Sequence, residues 1–164
     1  MKRIALVIAA ALCAALLGAA PAQAEERTCR GTIGAVTVDN LRVPSNATCT
    51  LKGTRVTGTI KVERNATLVA TSVRVNGNVQ AEGHKNVSLK SSTVGGSVQL
   101  KQGKTATVTS NSVKGDVQSF TNRGKQTISS NRINGNLQCK SNVPAPTGSR
   151  NIVQGNKEDQ CRRL

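Results

Sequence analysis

Three cations recur at nineteen-residue steps in this chain, Lys85, Lys104 and Arg123, with Arg64 and Lys101 close to them in the repeat. In a regularly coiled chain such a column becomes a stripe of positive charge, the electrostatic footprint of a polyanion binder. Like charges stacked at strand spacing repel, so the column costs stability unless counter-charges or a partner offset it. His84 and Lys125 fall nearby, whereas Arg55, Arg74 and Arg132 recur on a different face. The competing reading is a solvated basic surface that keeps the chain soluble and blocks pairing at strand edges.

Catalysis has less to work with. Glycoside hydrolysis needs paired carboxylates, and Glu63 and Glu82 are the one pair at equivalent positions of successive repeats. A lyase would want calcium-binding acids with a basic residue, for which Arg64 is the neighbour. Ser-His-acid chemistry would rest on His84, the single histidine, in a Gly-His-Lys turn without a nucleophile motif. No catalytic residue is assigned, and a polysaccharide-active enzyme stays as the alternative. The cysteines lack close-spaced pairs, so neither a metal nor a cofactor is expected. The absence of Trp and Tyr counts against specific nucleic-acid recognition and against a sugar-stacking lectin. A threonine ladder of the ice-binding kind begins at Thr105-Ala106-Thr107-Val108-Thr109, but its regularity fails in the neighbouring repeats.

The element that must position these residues announces itself through glycine. Gly58, Gly77, Gly96, Gly115, Gly135 and Gly155 sit in one recurring phrase, as in Val-Asn-Gly-Asn-Val and Val-Lys-Gly-Asp-Val. A fixed period of this length marks a solenoid, whose repeats bury their apolar faces only against one another. With the glycine at position 5, position 3 reads Val56, Val75, Val94, Val113, Ile133, Val153, and position 7 reads Ile60, Val79, Val98, Val117, Leu137. Position 9 reads Val62, Ala81, Leu100, Ser119, Cys139, so apolar residues alternate as in strands. A second strand carries Leu68 and Ala70, Val87 and Leu89, Ala106 and Val108, then Gln126 and Ile128 after one residue of slippage. The expected fold is all-β: a right-handed parallel β-helix of about six rungs, each of 19–20 residues, the hand following the crossover rule. At a strand spacing of roughly 4.8 Å it makes a rod about 30 Å long, with an aliphatic interior to which Phe120 is assigned. Gln80, Gln99, Gln118 and Gln138, and the column ending Asn111, Asn131, Asn151, read as outward amide ladders.

Both ends are treated against edge pairing. Position 7 turns to Lys157 and position 9 to Asp159, and Asn142–Gly148 replaces a strand. Cys29 and Cys49 lie near one end, Cys139 and Cys161 near the other. Of the three possible pairings, Cys29–Cys49 and Cys139–Cys161 is favoured.

Residues 1–24 read as a secretory signal peptide, with Lys2 and Arg3, an apolar run and Ala22-Gln23-Ala24. Removing Lys2 and Arg3 from the 23 basic residues leaves 21 against 8 acids, a net charge of +13. The organisation expected is therefore 1–24 cleaved signal, 25–53 N-terminal cap and degenerate first rung, 54–150 repeats and 151–164 C-terminal cap. No transmembrane segment is expected after cleavage. An even number of exported cysteines implies disulfides and an oxidising compartment, periplasm or extracellular space.

The closing stretches Gly135-Asn136-Leu137-Gln138-Cys139-Lys140, Pro144–Gly148 and Gly155–Cys161 resemble a family of small exported bacterial proteins, as does Val43–Val56. That resemblance implies secretion and a β-helix, and no activity. The rungs are also similar to bactofilin-type polymer-forming scaffolds. Those are cytoplasmic and lack disulfides, and the charged C-terminal cap here argues against end-to-end polymers. The functional expectation is a monomeric, non-catalytic envelope or extracellular protein that binds acidic polysaccharide or lipopolysaccharide through Lys85, Lys104, Arg123, Arg64 and Lys101. A purely structural envelope rod is the other alternative.

Overall fold

A computed structural model describes residues 25–164; the signal-peptide reading concerns residues outside that range. The described chain winds into a parallel β-helix without α-helix, each turn but the last ones contributing one short strand to each of three sheets. One turn runs Arg55–Val56, Ile60–Val62, Thr67–Thr71, and these strands belong to sheets I, II and III in that order. After Leu137–Lys140, sheet III gains only the bridge between Thr127 and Thr147. Sheet I has seven strands, sheet II eight and sheet III six, so the coil makes about seven turns. The turn beyond the expected six comes from the N-terminal segment. Glu26–Thr28, Gly31–Ile33 and Thr37–Val38 do not merely cap the coil; they pair in register with the three sheets.

Alternation along the strands fills the interior. Val79 and Ala81 point in and Gln80 and Glu82 out, and the register stacks Val79 between Ile60 and Val98. Sheet III stacks Leu68, Val87, Ala106 and then Gln126, which carries the one-residue slippage. Burying these aliphatics in columns is the main stabilisation, at roughly 25 cal/mol for each Å² removed from water. Both disulfides form in the expected pairing, Cys29–Cys49 with Cα atoms 5.5 Å apart and Cys139–Cys161 with 5.2 Å.

The corners explain the rest of the pattern. Between sheets I and II, a small polar side chain folds over the glycine of the next turn and accepts a backbone N–H. Asp116 Oδ1 takes the Asn136 N–H at 2.7 Å, and Asn136 Oδ1 takes that of Asn156 at 2.8 Å. A Cβ on Gly135 would lie 2.3 Å from Asp116 Oδ1, so the periodic glycine is what lets this ladder close. Between sheets III and I the column Ser92, Asn111, Asn131, Asn151 is buried, not outward as its polarity suggests. Asn111 N donates to Asn131 Oδ1 at 3.0 Å, and Asn131 Nδ2 donates to the Val108 carbonyl at 2.8 Å. The Asn111 N–H, which the bend takes out of the sheets, thereby finds the partner that a buried polar group requires.

Candidate binding surface

The corner between sheets II and III positions the basic column. Each turn passes it through a left-handed residue, Asn65, Gly83, Gln102 and then Thr121. An inward residue follows, in the order Ala66, His84, Gly103, Asn122, all buried. The next residue faces solvent. Its N–H donates at 2.8 Å to the inward residue of the preceding turn: Lys85 to Ala66, Lys104 to His84 and Arg123 to Gly103. Lys85, Lys104 and Arg123 are therefore held in successive turns on one exposed corner, about 4.8 Å apart along the axis. Among the described residues, ion pairs form only around Arg42, with Glu26 at 3.2 Å and Glu63 at 3.1 Å. The three cations have no carboxylate to offset them.

Arg64 and Lys101 lie on the other side of that corner. They line an open groove of about 880 Å³ on sheet II, together with Lys61, Glu63, Gln80, Glu82 and Gln99. The groove thus gathers the two subsidiary cations with the two acids of the enzyme alternative. Glu63 is committed elsewhere: the Arg42 guanidinium, the Ser45 N–H at 3.0 Å and its hydroxyl at 3.1 Å hold the carboxyl below its usual range. A carboxyl held ionised in this way is unsuited to act as a general acid. Glu82 is paired in register with Lys101 on the next turn.

His84 belongs to neither group. It is buried among the inward residues of the corner, and neither ring nitrogen has a hydrogen-bond partner. Burial pushes its pKa down to about 4. Its place beside Lys85 in the sequence is corrected by the corner, which turns one residue in and the next out. Phe120 is the second correction. It is not in the core but half-buried on the outer side of Val117–Phe120, beside Gln118. The alternation of that strand carried the signal, since position 10 holds Glu63, Glu82, Lys101 and Lys140 in other turns.

Of the outward glutamines only the last two join, Gln118 Nε2 donating to Gln138 Oε1 at 2.9 Å and Gln138 Nε2 to Glu158 Oε2 at 2.8 Å, while Gln80 and Gln99 stack in register without a side-chain bond. Among the described residues no three His, Cys, Asp or Glu side chains are grouped as metal ligands, and no helix is long and apolar enough to cross a membrane. No family model, curated protein or solved structure matches this chain. The reading of its function rests on the surface itself.

Proposed function

We propose that this chain is a non-catalytic, exported β-helix of the cell envelope or extracellular matrix that binds acidic polymers through its basic corner. The observation that carries this reading is the column Lys85, Lys104 and Arg123, three exposed cations in successive turns without a carboxylate partner. Stacking them costs free energy in the isolated protein. A polyanion lying along the axis supplies regularly spaced counter-charges and releases its own counter-ions as it docks. Arg64 and Lys101 extend the field around the corner. Acidic polysaccharide and the phosphates of lipopolysaccharide are the ligands of this chemistry. The two disulfides support an oxidising compartment.

The test is retention of the oxidised protein on acidic and neutral glycans and on DNA, at low and at physiological salt. Selective retention of one acidic glycan class at physiological salt, lost in Lys85→Gln/Lys104→Gln/Arg123→Gln, is the expected result. Equal, weak binding to every polyanion that vanishes at physiological salt would leave a solubilising surface on a structural rod.

A further inference from the structure

The outer face of sheet II carries a feature the basic corner does not need. Phe120 is the single aromatic residue of the chain, and it ends the strand Val117–Phe120 on the outer, half-buried side. The register sets it between Lys101 on the turn before and Lys140 on the turn after. Two residues back along the same strands run Gln99, Gln118 and Gln138, the last two joined by a side-chain hydrogen bond. Phe120 thus lies in register between two lysines, at about 4.8 Å per step, beside a row of glutamines at the same step.

Each part matches one chemical feature of a single ligand class. An aromatic face takes the C–H face of a pyranose ring, the amides take hydroxyls, and ammonium groups one turn to either side take carboxylates on neighbouring sugars. The strand repeat is close to the length of one hexopyranose in an extended chain, so successive sugars would meet successive turns. The strip is continuous with the groove through Gln99 and Lys101. It also borders the basic corner, since Lys104 follows Lys101 and Arg123 follows Phe120 by three residues. Inorganic polyphosphate could use the cations but has nothing to place on the ring.

We propose that this strip of sheet II binds a pyranose polyuronate lying along the coil axis, with a sugar ring stacked on Phe120 and its neighbours' carboxylates on Lys101 and Lys140. The proposal rests on the polyanion-binding reading and narrows it to one class of polymer.

The experiment measures affinity for sodium polygalacturonate, sodium polyphosphate and poly(dT) at physiological salt. Proteins compared are the wild type, Phe120→Ala, Phe120→Tyr, Lys140→Gln and the triple corner variant, each checked for an unchanged thermal midpoint. Phe120→Ala should weaken polygalacturonate binding about tenfold and leave polyphosphate binding unchanged, while Phe120→Tyr keeps the wild-type affinity. Lys140→Gln should weaken binding to both. Equal loss on polygalacturonate and polyphosphate in Phe120→Ala, or no loss on either, overturns the proposal. So does a larger loss on poly(dT), which would make the ring a base-stacking platform. If the wild type binds none of the three polymers, or the corner variant binds as the wild type does, the polyanion reading itself fails.

Discussion

The ring of His84 fills the space that a side chain on Gly103 would need: a Cβ built on Gly103 lies 2.1 Å from His84 Cε1 and 2.2 Å from Nδ1. The two residues are successive members of one inward column, so the larger side chain on one turn requires the absence of one on the next. Asn122 resumes the column, accepting the Gly103 N–H at 2.8 Å.

Gly103→Ala should therefore lower stability by about 1–3 kcal/mol through overpacking. In a His84→Ala background the same change should cost little, because the space is vacated. A double-mutant cycle from urea unfolding measures this. Equal costs in the two backgrounds would show that the pair does not interact.

His84 also sets an acid limit. Its folded pKa, about 4, is depressed from 6.5, so the unfolded chain binds the extra proton between those values. Stability must then fall as pH drops from about 6.5 and stop falling below about 4, by about 3 kcal/mol in all. Glu63 is also depressed, by Arg42 first, so its contribution is present above 4.5 and is lost at lower pH. His84→Asn, which places the side chain of Asn122 and Asn142 at this turn, should flatten the profile between pH 6.5 and 4.5. Denaturant midpoints across this range decide it, and an unchanged slope in the variant would remove His84 as the cause.

The buried amide ladder predicts a sharp contrast between two columns of the same chemistry. Asn131→Ala leaves the Asn111 N–H without its partner in the interior and removes the amide that also donates to the Val108 carbonyl. Each buried unpaired group costs about 1–3 kcal/mol. Gln99→Ala, on the outer face of sheet II, should change stability by less than about 0.5 kcal/mol. Comparable effects at the two sites would contradict the burial assigned to Asn131.

Reduction of the disulfides should act locally. Their partners are 20 and 22 residues apart, which in the loop-entropy model corresponds to about 3 kcal/mol each. Solenoid turns contact only their neighbours, so the loss should appear at the ends first. Amide exchange after reduction should speed up in Gly31–Ile33 and Lys157–Asp159 while Asn86–Lys90 stays protected. Uniform acceleration along the chain would indicate that the coil unfolds as one unit.

Much of the architecture was legible in the residues because a solenoid repeats one solution. Apolar positions 3, 7 and 9 and the late strand gave the sheets, their register and the slippage at Gln126. The four cysteines near the ends gave their pairing. The corners were harder, because polarity there does not report direction. Asn111, Asn131 and Asn151 look like surface residues until the backbone groups that they satisfy are in place. Phe120 looks like core until strand alternation is given priority over hydrophobicity.

By itself the sequence determined the period, the strand columns and the cationic spacing, since these follow from residue types at fixed intervals. Only the tertiary structure decided which way the corner residues face. Ala66 and His84 occupy the same inward site although they are eighteen residues apart, while His84 and Gly103 are nineteen. That one-residue shift is absorbed by the left-handed residues Asn65 and Gly83 and fixed by hydrogen bonds to adjoining turns. The direction of a side chain at a bend is set by partners a full turn away, which no local reading of the chain contains.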